Sequence, residues 1–161
     1  MKLLLTDIVR TGNISPFKWG DSRDDILKIF PEWEKTFESH KNYCYPFFEI
    51  DSIEFYFDED NFINLSSIII GVWHFKEDYK SSYFDKGWLK DDLSIPKVKT
   101  ILNNQNWTYE ILQNPRSNEP FILSNRRTEL AFDSTGYEDY NEELTALQKI
   151  YIRNKPIDSK Y

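Results

Sequence analysis

Hydrophobic positions along the chain follow two periods, and each period occurs in both halves. Ser22 precedes Ile26, Leu27, Ile29, Phe30 and Trp33, the three-to-four spacing of one buried helix face. Ser22 is placed to cap that helix, and Asp24 and Asp25 put negative charge in its first turn, where the helix dipole favours it. Pro31 ends or bends it, because proline removes a backbone donor and clashes with the preceding turn. Ser94 caps a second helix, with Pro96 near its start, where a missing N–H costs nothing. Val98, Ile101 and Leu102 supply its apolar face, and Asn103-Asn104 mark its end.

A period of two follows each helix. Residues 45–50 predict a strand, and Asp51-Ser52 a turn. Ile53, Phe55 and Phe57 then alternate with Glu54, Tyr56 and Asp58, as in a half-buried strand. Asp58-Glu59-Asp60-Asn61 makes a polar hairpin tip, and 65–75 returns as a long strand rich in Ile and Val. In the second half 121–124, 128–133 and 147–153 repeat the series, with a longer last hairpin over 134–143. The opening run 3–9 predicts an edge strand, and 157–161 a loose tail.

Residue identities repeat as well. Trp33 matches Trp107, Pro46-Phe47 matches Pro120-Phe121, and Glu54-x-x-Phe57-Asp58 matches Glu129-x-x-Phe132-Asp133. A fixed offset of this kind marks an internal repeat. The expected fold class is therefore α+β. It is a tandem repeat of a helix followed by an antiparallel β-meander, with one continuous or two packed antiparallel sheets and the helices on one face. Residues 1–161 form one domain of two repeats, about 1–76 and 88–155, joined by a connector at 77–87. The wider connecting segment, 76–92, is charged and aromatic and lacks the Gly/Ser/Pro composition of a tether.

Composition narrows the classes. Aromatics at 17% supply ample core material and exclude disorder of the whole chain. A net charge of −7 argues against a general nucleic-acid binder, which needs surplus Lys and Arg. The acidity is uneven: residues 1–80 carry 9 basic and 15 acidic side chains, and residues 81–161 carry 11 and 12. Such a field steers a basic partner, or keeps the surface solvated. The single cysteine, Cys44, excludes an internal disulfide and suits a reducing compartment, so a cytoplasmic location is expected. Thr6, Asp7 and Arg10 break the opening leucines well short of a signal sequence, and no stretch approaches the roughly 18 apolar residues of a membrane span.

Candidate chemistry is sparse. His40 and Cys44 stand one helical turn apart, but zinc wants four ligands and no second thiol exists. His74 lies in the apolar run of 68–75 with no orienting group or nucleophile to name. Glu54 and Glu129, with Asp58 and Asp133, recur in both halves, as paired catalytic carboxylates would, but a solvated strand face and a turn explain them. Arg126-Arg127, with Arg116 nearby, is the one basic cluster and reads as a surface pair. No phosphate loop, G-x-S-x-G or H-E-x-x-H is present. No enzyme activity, cofactor or metal is expected.

What remains is surface. Tyr79, Tyr83, Phe84 and Trp88 stand beside Asp78 and Asp85 in the connector, and Asp58, Glu59 and Asp60 form the hairpin tip. Aromatic anchors among carboxylates suit an interface with a basic protein, unless the connector folds back and buries the rings. These nine residues are the expected partner-binding set.

The stretch Trp19-Gly20-Asp21-Ser22-Arg23-Asp24-Asp25-Ile26-Leu27-Lys28-Ile29-Phe30, followed by Ile53-Glu54-Phe55-Tyr56-Phe57-Asp58, resembles a pattern in small bacterial proteins. There a G-x-S-x-x-x-[VI]-[LV] helix opening precedes an [IL]-E-[FL]-x-F strand. Many are immunity proteins of polymorphic-toxin and contact-dependent growth inhibition systems. Phe30-Pro31 stands where Leu-Gly is usual. The tandem arrangement is also similar to that of β-lactamase-inhibitory proteins. The resemblance implies a stoichiometric inhibitor of a cognate toxin, with a basic nuclease suited to the acidic surface. A monomer or weak homodimer is expected, with no direct contact to nucleic acid or membrane. The alternative from another class is a small enzyme or ligand-binding domain, with a pocket between sheet and helices that gathers Glu54, His74 and Tyr56.

Overall fold

Alternation carries the sheet. The structure, a computed structural model, describes residues 2–40, 47–58, 63–133 and 141–157. Seven strands, β2 (Phe47–Ile50), β3 (Ile53–Phe57), β4 (Leu65–Gly71), β6 (Glu110–Gln113), β7 (Pro120–Asn125), β8 (Thr128–Asp133) and β9 (Ala146–Arg153), form one sheet in the order β2-β3-β4-β9-β8-β7-β6. Every neighbouring pair is antiparallel. The protein is α+β. In β3, Ile53, Phe55 and Phe57 are buried while Glu54 and Tyr56 are partly exposed, as the period of two requires. In β8, Thr128, Leu130 and Phe132 are buried in the same alternation.

The buried positions of the strands join the helices in one hydrophobic cluster. That cluster takes Leu5, Ile8 and Val9 from α1 (Leu5–Thr11), Ile26 from α2 (Arg23–Ile29), and Ile95, Val98 and Leu102 from α4 (Ile95–Asn104). Trp33, 2% exposed, belongs to it. Its ring stacks on Phe30 at 4.3 Å and meets Phe17, Phe48, Phe55 and Tyr83 within 6 Å. One core thus draws on both halves of the chain.

Several elements differ from the expectation, each for a local reason. Residues 3–9 form no continuous edge strand: only Leu3–Leu4 (β1) is extended, pairing in parallel with β5 (Phe84–Asp85) in a separate two-stranded ribbon. From Leu5 the chain is helical, because Leu5, Ile8 and Val9 have helical spacing toward the core. Gly12 ends α1 at φ +68°, and a Cβ there would lie 3.3 Å from the Asn125 side chain. The strand over 65–75 stops at Gly71, and Val72–His74 is one 3-10 turn that drives Phe75 into the core. His74 is therefore an exposed turn residue.

The two halves are also less alike than two equal helix-and-meander units. The first has a further helix, α3 (Glu34–His40), after a 3-10 turn over Pro31–Trp33. The second has an unanticipated strand, β6. Arg126 and Arg127 form the turn between β7 and β8 and do not lie on a strand. Glu59, Asp60, Cys44, most of the 134–143 hairpin and residues 158–161 lie outside the described residues. Ile157, at the start of the expected tail, is tied by its N–H to the Arg126 carbonyl at 2.6 Å.

Ser22 caps α2 as expected, whereas the Ser94 side chain, at the N-cap position of α4, makes no cap hydrogen bond. The Ser22 Oγ accepts from the Asp25 N–H, and the Asp25 carboxylate accepts from the Ser22 N–H, a reciprocal capping box. Hydrogen bonds from Lys28 first, then from Ser22, hold the Asp25 carboxyl down at about 2, against an ordinary 3.8. Because the folded value is depressed, this contribution is complete above about pH 4 and is lost as pH falls through 2. Ser22→Ala is expected to raise the Asp25 midpoint in a side-chain NMR titration. It should also cost about 1 kcal/mol in a urea melt at neutral pH, as at other N-caps. An unmoved midpoint would contradict the capping box.

Candidate protein-docking face

The register of the sheet aligns one residue from each strand in a row across the outward face. Glu49 of β2 pairs with Glu54 of β3, which pairs with Ile69 of β4; Ile69 pairs with Tyr151 of β9 and Tyr151 with Glu129 of β8. Glu129 in turn faces Leu123 of β7, and Leu123 faces Glu110 of β6. Glu54 and Glu129, matched in the sequence, flank the central Ile69/Tyr151 pair.

Rings and charges are interleaved around this row. Phe47 and Tyr56, also a register pair, stack with centroids 5.1 Å apart and planes 15° apart. The Tyr56 hydroxyl donates to Glu54 Oε2 at 2.8 Å. Burial, and then the Glu54 hydrogen bond and charge, raise the Tyr56 pKa well above 10. Arg153 lies over the Tyr151 ring at 5.1 Å, and its Nη1 is 2.9 Å from Glu129 Oε2. Burial first, and Glu129 next, raise the Tyr151 pKa. Lys149 covers Trp73 at 5.2 Å. The Trp73 ring lies across Gly71, where a Cβ would come within 3.2 Å of it.

The charged residues of the row are all acids, Glu49, Glu54, Glu129 and Glu110, and cations stand beside it at the β8–β7 side. Glu49, exposed, stands directly opposite Glu54, and like charges so placed across strands destabilise a sheet. At the far end a cleft of about 530 Å³ opens beside Phe121, lined by Arg116, Arg153 and Lys155 and by one acid, Glu129. Its strand residues belong to the outward face. It is not a pocket between sheet and helices, and Glu54, Tyr56 and His74 do not line it.

The expected partner-binding residues do not form one patch. Tyr79 donates its O–H to the Asp51 carbonyl at 2.9 Å and meets the Phe75 ring at 4.6 Å with the planes tilted by 60°. Its pKa is pushed up to about 12, chiefly by burial. Ser81 donates to the Asp51 carboxylate at 2.6 Å, so the connector is anchored at the Asp51-Ser52 turn. Asp58 is exposed at the opposite end of β3, about 17 Å away at the usual rise per residue. Tyr83 is half-buried with its edge on Trp33 at 5.2 Å, and Trp88 is half-buried against Trp107 at 5.9 Å. Phe84 is a core side chain and leaves the surface set. Asp78 and Asp85 are exposed, and the Asp85 carboxylate accepts from the Gly87 N–H at 2.9 Å.

Sequence reasoning missed Phe47, Glu49, Ile69 and Tyr151 as members of a face. Their signal was the alternation itself, since each occupies the outward phase of its strand. Among the described residues no three His, Cys, Asp or Glu side chains group as metal ligands. No helix among the described residues is long and apolar enough to cross a membrane.

Glu49→Lys would turn the repelling pair into an attracting one. It is expected to raise stability by about 0.2–1 kcal/mol in a urea melt, and a loss of stability would contradict the assigned register. In comparisons with protein-family models, curated proteins and solved structures, the chain matches none of them.

Proposed function

We propose that the chain is a protein-binding inhibitor, an immunity protein that neutralises a cognate bacterial toxin through its outward sheet face. The observation that carries the reading is the like-charged Glu49/Glu54 pair beside the stacked Phe47 and Tyr56. Two carboxylates held side by side on a pleated sheet cost stability in the free protein. A cationic surface removes that repulsion on binding, while rigid rings supply contact area at low entropic cost. A basic nuclease toxin has such a surface, and carboxylates at strand spacing take the place of substrate phosphates. The inhibitor acts in the cytoplasm as a stoichiometric partner and carries out no chemistry.

The two halves of the sheet are, on this reading, diverged copies of one meander. Glu54 and Glu129 hold corresponding places beside the central pair, and the register shifts at Tyr56/Phe57 in one half and at Ala131/Phe132 in the other. An approximate dyad through Ile69 and Tyr151 relates these positions. Divergence left the acidic pair on one copy and the cationic cleft on the other.

Bacteria expressing the chain are expected to survive induction of the toxin encoded beside its gene, and the two proteins to form a 1:1 complex. Glu49→Lys combined with Glu54→Gln should abolish protection and slow association at low salt. Absence of a toxin gene there, or equal killing with and without the chain, would overturn the reading.

A further inference from the structure

The sheet ends at β6, and the phase of its hydrogen bonds leaves that edge open. β6 pairs with β7 through Glu110/Leu123, Ile111/Ile122, Leu112/Phe121 and Gln113/Pro120. In the same register the Asn114 N–H donates to the Glu119 carbonyl at 2.8 Å, so Asn114/Glu119 is a hydrogen-bonded pair. Bonded and unbonded pairs alternate along an antiparallel ladder. Glu110 and Leu112 therefore point their N–H and C=O groups at β7, and Tyr109, Ile111 and Gln113 point theirs away from the sheet. Pro120, with no N–H to give, stands opposite Gln113 at an unbonded position, in keeping with this phase. Among the described residues no strand lies beyond β6, and the outward main-chain groups of Tyr109, Ile111 and Gln113 have no hydrogen-bond partner.

Edge strands are commonly blunted by lysine, proline or a bulge. β6 has neither residue and no register shift, and its Ile111 is 46% exposed. Tyr109 leads into the strand with its hydroxyl donating to Asn103 Oδ1 of α4 at 3.1 Å, which fixes the start of the edge. We propose that the β6 edge is a self-association surface, on which a second copy of this chain pairs its own β6 antiparallel across a dyad through Ile111. In that register Ile111 meets Ile111 of the second copy and Tyr109 meets Gln113, so every outward residue exchanges both main-chain bonds. Glu110 then stands opposite Leu112, and no like charges face each other. A dyad through Glu110 would oppose the two carboxylates, and one through Leu112 would set Tyr109 against Pro115, which has no N–H. The edge complements itself in one register, and this commits the occupant to a second copy. The two sheets become continuous, with both outward faces on the same side. The assignment stands apart from the toxin reading.

A strand edge of this length buries less than the roughly 1,200 Å² of a stable interface, so the dimer is expected to be weak. Sedimentation velocity of the full chain from about 10 μM to about 1 mM is expected to show monomer giving way to dimer. At the upper concentration, hydrogen exchange read by NMR should slow about fivefold at the amides of Tyr109, Ile111 and Gln113. The amides of Glu110 and Leu112, already bonded to β7, should not change. Ile111→Lys places two like charges at the dyad, and Gln113→Pro removes an outward N–H without breaking a bond to β7. Each variant is expected to stay monomeric at about 1 mM, with the urea midpoint of the dilute protein unchanged. A wild-type chain that remains monomeric at that concentration would overturn the proposal. So would a dimer that persists in both variants, or one that leaves the three outward amides unprotected.

Discussion

The pairing of β4 with β9 is the contact on which the rest of the structure depends. It joins residues 67–71 to 149–153 in antiparallel register, with Ile68 against Ile152 and Ile70 against Ile150 on the core side. On one flank stand β3 and β2, on the other β8, β7 and β6. Neither flank alone has a second layer large enough to bury its apolar side, and a half-length chain buries a smaller share of its surface. Joined, they face a single cluster of buried side chains. The register is strict because a slip of one residue would turn Ile68, Ile70, Ile150 and Ile152 outward and bring Tyr151 and Arg153 into the core.

That same register composes the outward face. Once Ile69 stands against Tyr151, the ladders on either side place Glu54, Glu49 and Glu129 in one line. The result is a surface with rings at fixed spacing, a row of acids across it and a cleft lined by cations at one side. Polarity of this kind sets the orientation of a docking partner as well as its rate of approach. Helices and connector meanwhile take the opposite side, and the connector aromatics serve the core there.

Strong local periodicity was the part of the fold open to reading in the sequence. Thr128–Asp133 was predicted with its observed bounds, Ile53–Phe57 by its alternation, and the Ser22 cap by its acidic first turn. Elements decided by distant contacts were not legible. Leu3 to Val9 suits strand and helix alike as an apolar run, and packing of Leu5, Ile8 and Val9 decides for helix. Glu110-Ile111-Leu112-Gln113 has no alternation of its own and is a strand only because β7 pairs with it. The candidate face was hidden for the same reason. Glu54 and Glu129 were visible as a matched pair, but the line that includes Glu49 and Tyr151 exists only through pairing between strands far apart in sequence.

Native-state hydrogen exchange tests the central role of β4 and β9 most directly. If the sheet is one cooperative unit built on their pairing, the amides of Ile68, Ile70, Ile150 and Ile152 exchange slowest of all, and through a single global opening. Exchange of 47–71 through its own lower-energy opening, with 120–153 still protected, would contradict it.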